Sequence, residues 1–312
     1  MSGELIQLSP GQQVEKWKIE KKLGEGGFGA VYRVYDSTGK YAMKIEQDQG
    51  KKNIIQVLKL EVSVLTELSK RGNRHFCRIE DKGRFKNNFN YVVMTLVGKS
   101  LEDLKKGGTG GHMSMGCSIG IGIQALEALE DLHAIGYLHR DVKPGNYTIG
   151  RPELNEIRKV YILDFGMCRK YTGNDGTIRK PRQAAGFRGT VRYAPISCHM
   201  QKDLCRSDDL ETWVYMQAEL SYGRLPWAHI SDMNQVGKQK QAVRKTPEKL
   251  FPPPCPREFH EIYTYVSKMK YYDTPDYQMI YGKMRQSYAS VGASEHAPYD
   301  WENGGPAAHV LR

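Results

Sequence analysis

Nowhere in the 312 residues does an apolar run approach the roughly 20 residues a membrane helix needs, and residues 1–10 lack a basic start followed by a hydrophobic stretch. These absences predict a soluble, unsecreted protein with no membrane partner; the cytoplasm is the expected location, with the nucleus left open as a second. The six cysteines, Cys77, Cys117, Cys168, Cys198, Cys205 and Cys255, include no Cys-x-x-Cys pair. That speaks against the common zinc and dithiol motifs and predicts reduced, buried thiols. No internal repeat is visible. The one low-complexity patch, residues 107–111, lies in a longer loop starting at Lys105 that reads as a flexible connector. A Walker phosphate loop is missing as well: Gly98-Lys99-Ser100 has its ending, but Val93 stands where its first glycine belongs.

What is present is an ordinary globular composition, 39% hydrophobic and 26% charged, in a chain long enough for one large domain or two lobes around a cleft. The formal net charge of +11 points to an anionic partner, whether nucleic acid, lipid or acidic protein. A conspicuous share of it lies between Arg169 and Arg206, with Arg179, Lys180, Arg182, Arg188 and Arg192, rather than in a terminal arm. A substrate-facing surface and a merely solvated one both fit. Single-strand nucleic-acid binders interleave aromatic and basic residues on a sheet face. No such interleaving is visible, so nucleic acid is not expected as a partner.

Residues 17–44 alternate as three antiparallel strands, with a turn at Ser37-Thr38-Gly39. Ile54, Val57, Leu58, Leu65 and Leu68 recur at helical spacing, and residues 90–96 form an apolar run too short for a helix. A sheet with one helix is therefore expected first. Helical patterns then dominate, notably over 118–135 and 210–222, interrupted by short apolar strands at 147–149 and 160–163. Prolines at 252–256 mark a turn before another helix.

Gly24-Glu25-Gly26-Gly27-Phe28-Gly29 has Gly-x-Gly-x-x-Gly spacing. A dinucleotide site needs the last glycine to open a helix, yet the following residues alternate as a strand. The pattern then describes a hairpin lid whose amides approach phosphate oxygens, with Val31 covering adenine. Lys44, ending the third strand, fits the role of pairing a nucleotide's α- and β-phosphates, with Glu61 on the helix as its partner. Glu46 and Glu67 compete for that role, but one is on the strand itself and the other two turns away.

The tract His139-Arg140-Asp141-Val142-Lys143-Pro144-Gly145-Asn146, followed by Asp164-Phe165-Gly166, carries the chemistry. Phosphoryl transfer needs an oriented hydroxyl, neutralised phosphate charge and metal ions bridging the β- and γ-oxygens. Asp141 suits the first need as a proton acceptor and Lys143 the second. Asn146 and Asp164 offer the oxygen donors that Mg²⁺ prefers. Singly, Asp141 reads as a turn residue, Asn146 as a cap and Asp164 as a strand end; jointly and in this order they read as a site. His139 reads as a packed support of the loop rather than an acid or base.

At these residues the chain resembles the eukaryotic protein kinases over residues 17–301, nearly its whole length. Within them it is similar to the casein kinase 1 group, through Leu96-Val97-Gly98-Lys99-Ser100-Leu101-Glu102-Asp103-Leu104, Gly186-Phe187-Arg188-Gly189-Thr190-Val191-Arg192-Tyr193-Ala194, Asp208-Asp209-Leu210-Glu211 and Leu225-Pro226-Trp227. Tyr91-Val92-Val93-Met94, Gln235-Val236-Gly237 and Tyr299-Asp300-Trp301-Glu302 make it most similar to the tau-tubulin kinase branch.

The resemblance implies an α+β bilobal protein kinase fold, an antiparallel sheet plus one helix followed by a mainly helical lobe. A short extension would cover 1–14 and the kinase domain 15–302, divided near 96 and 97, with a disordered tail over 303–312. It implies ATP and Mg²⁺ as cofactors, with Leu23, Gly24, Glu25, Gly26, Gly27, Phe28, Gly29, Ala30, Val31, Ala42, Lys44 and Glu61 around the nucleotide. Met94 would be the gatekeeper, and Thr95, Leu96 and Val97 the hinge that bonds adenine. Lys143 and Thr190 imply serine and threonine as acceptors, and Asp209 would brace the catalytic loop. Arg192 and Lys238 would read an acidic or phosphorylated protein substrate, charge-assisted bonds to phosphate being strong and directional.

Three positions depart from the group. Ser231 stands where the group has lysine, which weakens the expectation of phosphate priming. Gly145 replaces a serine or glutamate, and Ala194-Pro195-Ile196 lacks the closing glutamate. An extra loop over 47–53 precedes the helix of Glu61. A monomer is expected. A scaffold of the same fold without catalysis is the competing class, but such chains usually lack Lys44, Asp141 or Asp164, and all are present here.

Overall fold

The computed structural model describes residues 6–26, 29–47, 57–72 and 74–311. Gly27 and Phe28 of the glycine loop, residues 48–53 of the extra loop and the expected helix start at Ile54 lie outside them.

Six strands form one antiparallel sheet: β1 (Gln13–Val14), β2 (Trp17–Gly26), β3 (Gly29–Asp36), β4 (Gly39–Gln47), β5 (Ile79–Phe85) and β6 (Phe89–Thr95), in the order β1-β2-β3-β4-β6-β5. Because strand side chains alternate between faces, each strand divides its residues between two cores. Trp17, Ile19, Ala30, Tyr32, Val34, Met43, Ile45, Tyr91 and Val93 close one face as a separate apolar cluster. The alternate residues Val31, Ala42, Lys44, Val92 and Met94 look the other way, with Val31 opposite Lys44, Lys44 opposite Val92 and Ala42 opposite Met94. That second face meets α1 (Val57–Ser69), which buries Leu58, Glu61, Val64, Leu65 and Leu68. β1 and β5 were not foreseen; β5 alternates between exposed and half-buried positions and has no apolar run to betray it.

The second lobe is mainly helical: α2 (Leu101–Gly107), α3 (Met115–Ala134), α4 (Ile196–His199), α5 (Arg206–Tyr222), α6 (Met233–Arg244), α7 (Arg257–Lys268) and α8 (Tyr277–Ser290). Short strands β7 (Tyr137–Leu138), β8 (Tyr147–Ile149), β9 (Val160–Ile162) and β10 (Arg169–Lys170) pair as β7 with β10 and β8 with β9. α3 and α5 form the centre. They approach so closely that a Cβ at Gly122 would lie 2.1 Å from Gln217 Oε1. α5 is buried over almost all its length, and its acidic residues Asp208, Asp209, Glu211 and Glu219 each meet a partner inside the lobe.

Two connector expectations are corrected. Lys105 belongs to α2, which Ser100 caps by accepting from Asp103 N at 3.1 Å, and a 3-10 turn follows at Thr109–Gly111. Lys105 is buried beside Glu219, at 3.3 Å, so this segment is anchored. The tail is ordered as well. Trp301 Nε1 donates to Ile157 O at 2.8 Å, Ala307 and Val310 are buried, and Lys99 Nζ donates to Val310 O at 2.6 Å. Its small and apolar residues find a groove beside α2 that only the assembled lobe provides.

Candidate active site

The cleft between the lobes collects residues from both. On the sheet side, Lys44 Nζ lies 2.6 Å from Glu61 Oε2 and 3.6 Å from Asp164 Oδ1. Glu46 is otherwise engaged: its carboxylate accepts from Val57 N at 2.9 Å and Leu58 N at 3.4 Å, capping the first turn of α1. Glu67 is paired with Lys70 on the outer face. Burial would lower the Lys44 pKa, but the Glu61 and Asp164 carboxylates outweigh it and hold the ammonium above its ordinary value.

β2 and β3 form the expected hairpin, with Gly24 opposite Val31 and Gly26 opposite Gly29. Register slips between Lys22 and Gly24, so Leu23 occupies a bulge and is exposed. Gly29 is required by close approach, since a Cβ there would overlap Ile45 O at 1.8 Å. Glu25 pairs with Lys22 on the exposed side, and Ala30 faces the outer cluster rather than the cleft. Met94 and Leu96 are buried and Thr95 and Val97 half-buried. Past this stretch, Gly98 N donates to Ile149 O at 2.8 Å and Ile149 N to Lys99 O at 3.0 Å, tying it to β8.

The loop between β7 and β8 is fixed from below. Asp209, buried at the start of α5, accepts from His139 N at 2.8 Å, Arg140 N at 2.9 Å and His133 Nε2 at 2.8 Å. Burial would raise its carboxyl, but these partners, His133 first, hold it below the usual range. Arg140 has φ 68°, an uncommon left-handed conformation for its residue type. Its Nε donates to Met167 O at 2.6 Å, so the guanidinium is already docked on the segment after Asp164. His139 is fully buried, touches Leu163 O through Nε2 at 3.0 Å and packs edge-on against Phe165.

Asp141 is 5% exposed and closely held. Its Oδ1 accepts from Thr190 Oγ1 at 2.9 Å, and its Oδ2 lies 2.9 Å from Lys143 Nζ and 3.2 Å from Asn146 Nδ2. Lys143 also donates to Thr190 Oγ1 at 2.9 Å. A carboxylate has about four acceptor sites, so three donors leave capacity for one more. Asn146 Nδ2 is occupied by Asp141, and among the described residues no donor is seen on its Oδ1.

Asp164, at φ 64°, is pulled in both directions: burial raises its pKa, and Lys44, with His139 and Lys143, outweighs this and keeps it ionised. Asn146 O accepts from Leu163 N at 2.8 Å, bringing the two residues to neighbouring positions. An amide oxygen and an ionised carboxylate are the hard donors that Mg²⁺ takes, with waters and phosphates completing the shell. The residues present therefore fit that ion, too few to form an all-protein cage: among the described residues no group of three or more His, Cys, Asp or Glu could hold a metal.

The basic stretch is partly consumed within the protein. Arg169 and Arg182 share buried Asp203, and Arg192 pairs with buried Glu219 at 3.1 Å while its side chain stays 44% exposed. Lys238 lies exposed on α6. Sequence reasoning missed Lys240, Glu219 and Asp203, because neither their type nor their spacing distinguishes them from surface charges. The thiols expected to be reduced are unpaired, and all but half-buried Cys255 are buried. Among the described residues no helix is long and apolar enough to cross a membrane.

Comparison with known proteins agrees with this geometry. A serine/threonine-protein kinase of Caenorhabditis elegans, spe-6, is 40% identical over 294 residues, covering 92% of this chain and 76% of its own. A probable serine/threonine-protein kinase of Dictyostelium discoideum is 37% identical over 290 residues, again 92% of this chain, which spans only 56% of that protein's length. A putative casein kinase I of Caenorhabditis elegans is 29% identical over 306 residues, with 96% of this chain and 87% of that protein covered. Residues 17–274 match the protein kinase domain model, and the chain belongs to that family.

Proposed function

We propose that this chain is a protein serine/threonine kinase of casein kinase 1 type, similar to the tau-tubulin branch, transferring the γ-phosphoryl group of ATP to protein hydroxyls. The observation that carries this reading is the joint hold of Thr190, Lys143 and Asn146 on Asp141. Asp141 is oriented with an acceptor site to spare, as a residue receiving a substrate hydroxyl and then its proton must be. Thr190 fixes the substrate-side turn against it. Lys143, between Asp141 and Thr190, supplies positive charge where the transferred group would pass.

On the other side, Lys44 held by Glu61 would meet the α- and β-phosphates, and the glycine hairpin with Val31, Ala42 and Met94 would enclose the nucleotide, the hinge bonding adenine. Mg²⁺ held by Asn146 and Asp164 would neutralise the β- and γ-phosphate oxygens. The exposed part of Arg192, with Lys238 on the neighbouring helix, favours acidic or phosphorylated protein substrates. We further propose a monomer acting in the cytoplasm and nucleus.

Incorporation of radiolabelled phosphate from ATP and Mg²⁺ into casein and into primed and unprimed peptides tests the reading. Transfer lost in Asp141→Asn supports it. ATP binding without transfer to any acidic substrate makes the chain a scaffold instead.

A further inference from the structure

Lys240 is fully buried on α6, and no motif accounts for it. Its Nζ donates to Val191 O at 2.7 Å and to Ala194 O at 2.6 Å, and lies 3.2 Å from His199 Nε2. Those carbonyls bracket a turn in which Tyr193 N and Ala194 N both donate to Thr190 O, at 2.9 and 2.8 Å. Thr190 gives its hydroxyl to Asp141 and receives Lys143. A continuous path of polar contacts and backbone therefore links α6 to the Asp141 carboxylate. Trp227 Nε1 holds the same turn from the side, donating to Arg192 O at 2.7 Å.

We propose that Lys240 is a positioning residue that clamps the turn at residues 190–194, and that loss of its proton slackens the clamp. The clamp stands on geometry; only its catalytic consequence rests on the kinase reading above.

The surroundings explain why the proton is loosely held. Glu211 is the carboxylate facing Lys240 from α5, but Arg244, one turn further along α6, takes its Oε2 at 2.6 Å, while Ile196 N and Tyr215 OH take Oε1. From α4 come His199 and the Cys198 thiol. The rings of Tyr215 and Trp227 lie 5.3 and 5.2 Å from Nζ. Burial dominates over Glu211 and Cys198 and brings Lys240 down from 10.5 to about 7. Burial and the neighbouring ammonium lower His199 to about 4, so near neutrality its ring is uncharged and Nε2 accepts from Lys240. When the ammonium loses its proton, both carbonyl bonds lose charge assistance, which roughly halves their strength. His199 Nε2 must then donate instead of accept.

The sign separates this effect from unfolding. The folded value lies below the unfolded one, so between about 7 and 10.5 the unfolded chain binds more protons. This group's penalty on stability therefore shrinks as pH rises, while the clamp weakens.

Hydrogen exchange of the whole chain, corrected for intrinsic rates, tests the proposal. Protection of the Tyr193 and Ala194 amides should fall on the order of fivefold as pH rises through the Lys240 transition. It should stay level in Lys240→Arg and be low throughout in Lys240→Met. Peptide kcat/KM should follow the same inflection in the wild type, and the KM for ATP should not. A flat wild-type profile, or the same inflection in Lys240→Arg, overturns the proposal even if Lys240→Met does not fold. A chain that transfers no phosphate sinks the kinase reading, while the exchange profile still decides on the clamp.

Discussion

Two lysines, one from each lobe, are drawn away from water, Lys44 in part and Lys240 fully, and the consequences are opposite. Lys44 lies between the Glu61 and Asp164 carboxylates and holds its proton more tightly than a free lysine. Lys240 lies against two backbone carbonyls and two aromatic faces and holds it far less tightly. Carbonyl dipoles satisfy the hydrogen bonds of an ammonium without cancelling its charge, so desolvation wins in one place and Coulomb attraction in the other. On the proposed reading the nucleotide side therefore has an anchor that keeps its charge, and the substrate side one whose proton is loosely held.

The largest expected effect removes the group between the two anchors. Asp141→Asn should lower kcat by about 10²–10⁴-fold, the usual range for a lost general base, with ATP binding retained by calorimetry. Lys44→Met should cost on the order of 10²-fold in kcat/KM for ATP with little change in peptide KM. Lys240→Met should show the converse split, and matching splits in both variants would break the comparison. A buried acid extends it: Asp209→Asn should destabilise the fold by about 2–4 kcal/mol in denaturant titrations, because His139 and Arg140 amides lose a charged acceptor. Since the Asp209 pKa is lowered on folding, its contribution is present above the unfolded carboxylate range near about 4 and fades as pH falls through the folded value. Val310→Ala is the uncharged control. Loss of two buried methyl groups under the tail should cost about 1–2 kcal/mol, with the Lys240 inflection unmoved.

Much of the cleft was legible in sequence because phosphoryl transfer demands particular residue types at short spacings. Asp141, Lys143 and Asn146 lie within six consecutive residues, and the Gly24 to Val31 hairpin announces itself by glycines followed by alternation. The pairing of Lys44 with Glu61 was expected from their order in the chain, and the structure adds what the competitors do instead: Glu46 is turned to the helix start and Glu67 to Lys70 on the outer face. The flexible connector and loose tail were misread because Lys105 and Val310 are ordered by partners far away in sequence, Glu219 and Lys99.

Local patterns by themselves pointed to the family, the sheet-then-helices order of the two lobes, and the candidate proton acceptor and metal ligands, since each depends on chemistry repeated over a few neighbouring positions. Only the tertiary structure decided which charges are spent internally and which remain available. Asp203 absorbs two arginines, Glu219 engages Arg192, and Lys240 is turned inward while Lys238, on the same helix, faces water. The reason is physical: the electrostatic state of a side chain is set by burial and by partners that folding brings from distant parts of the chain.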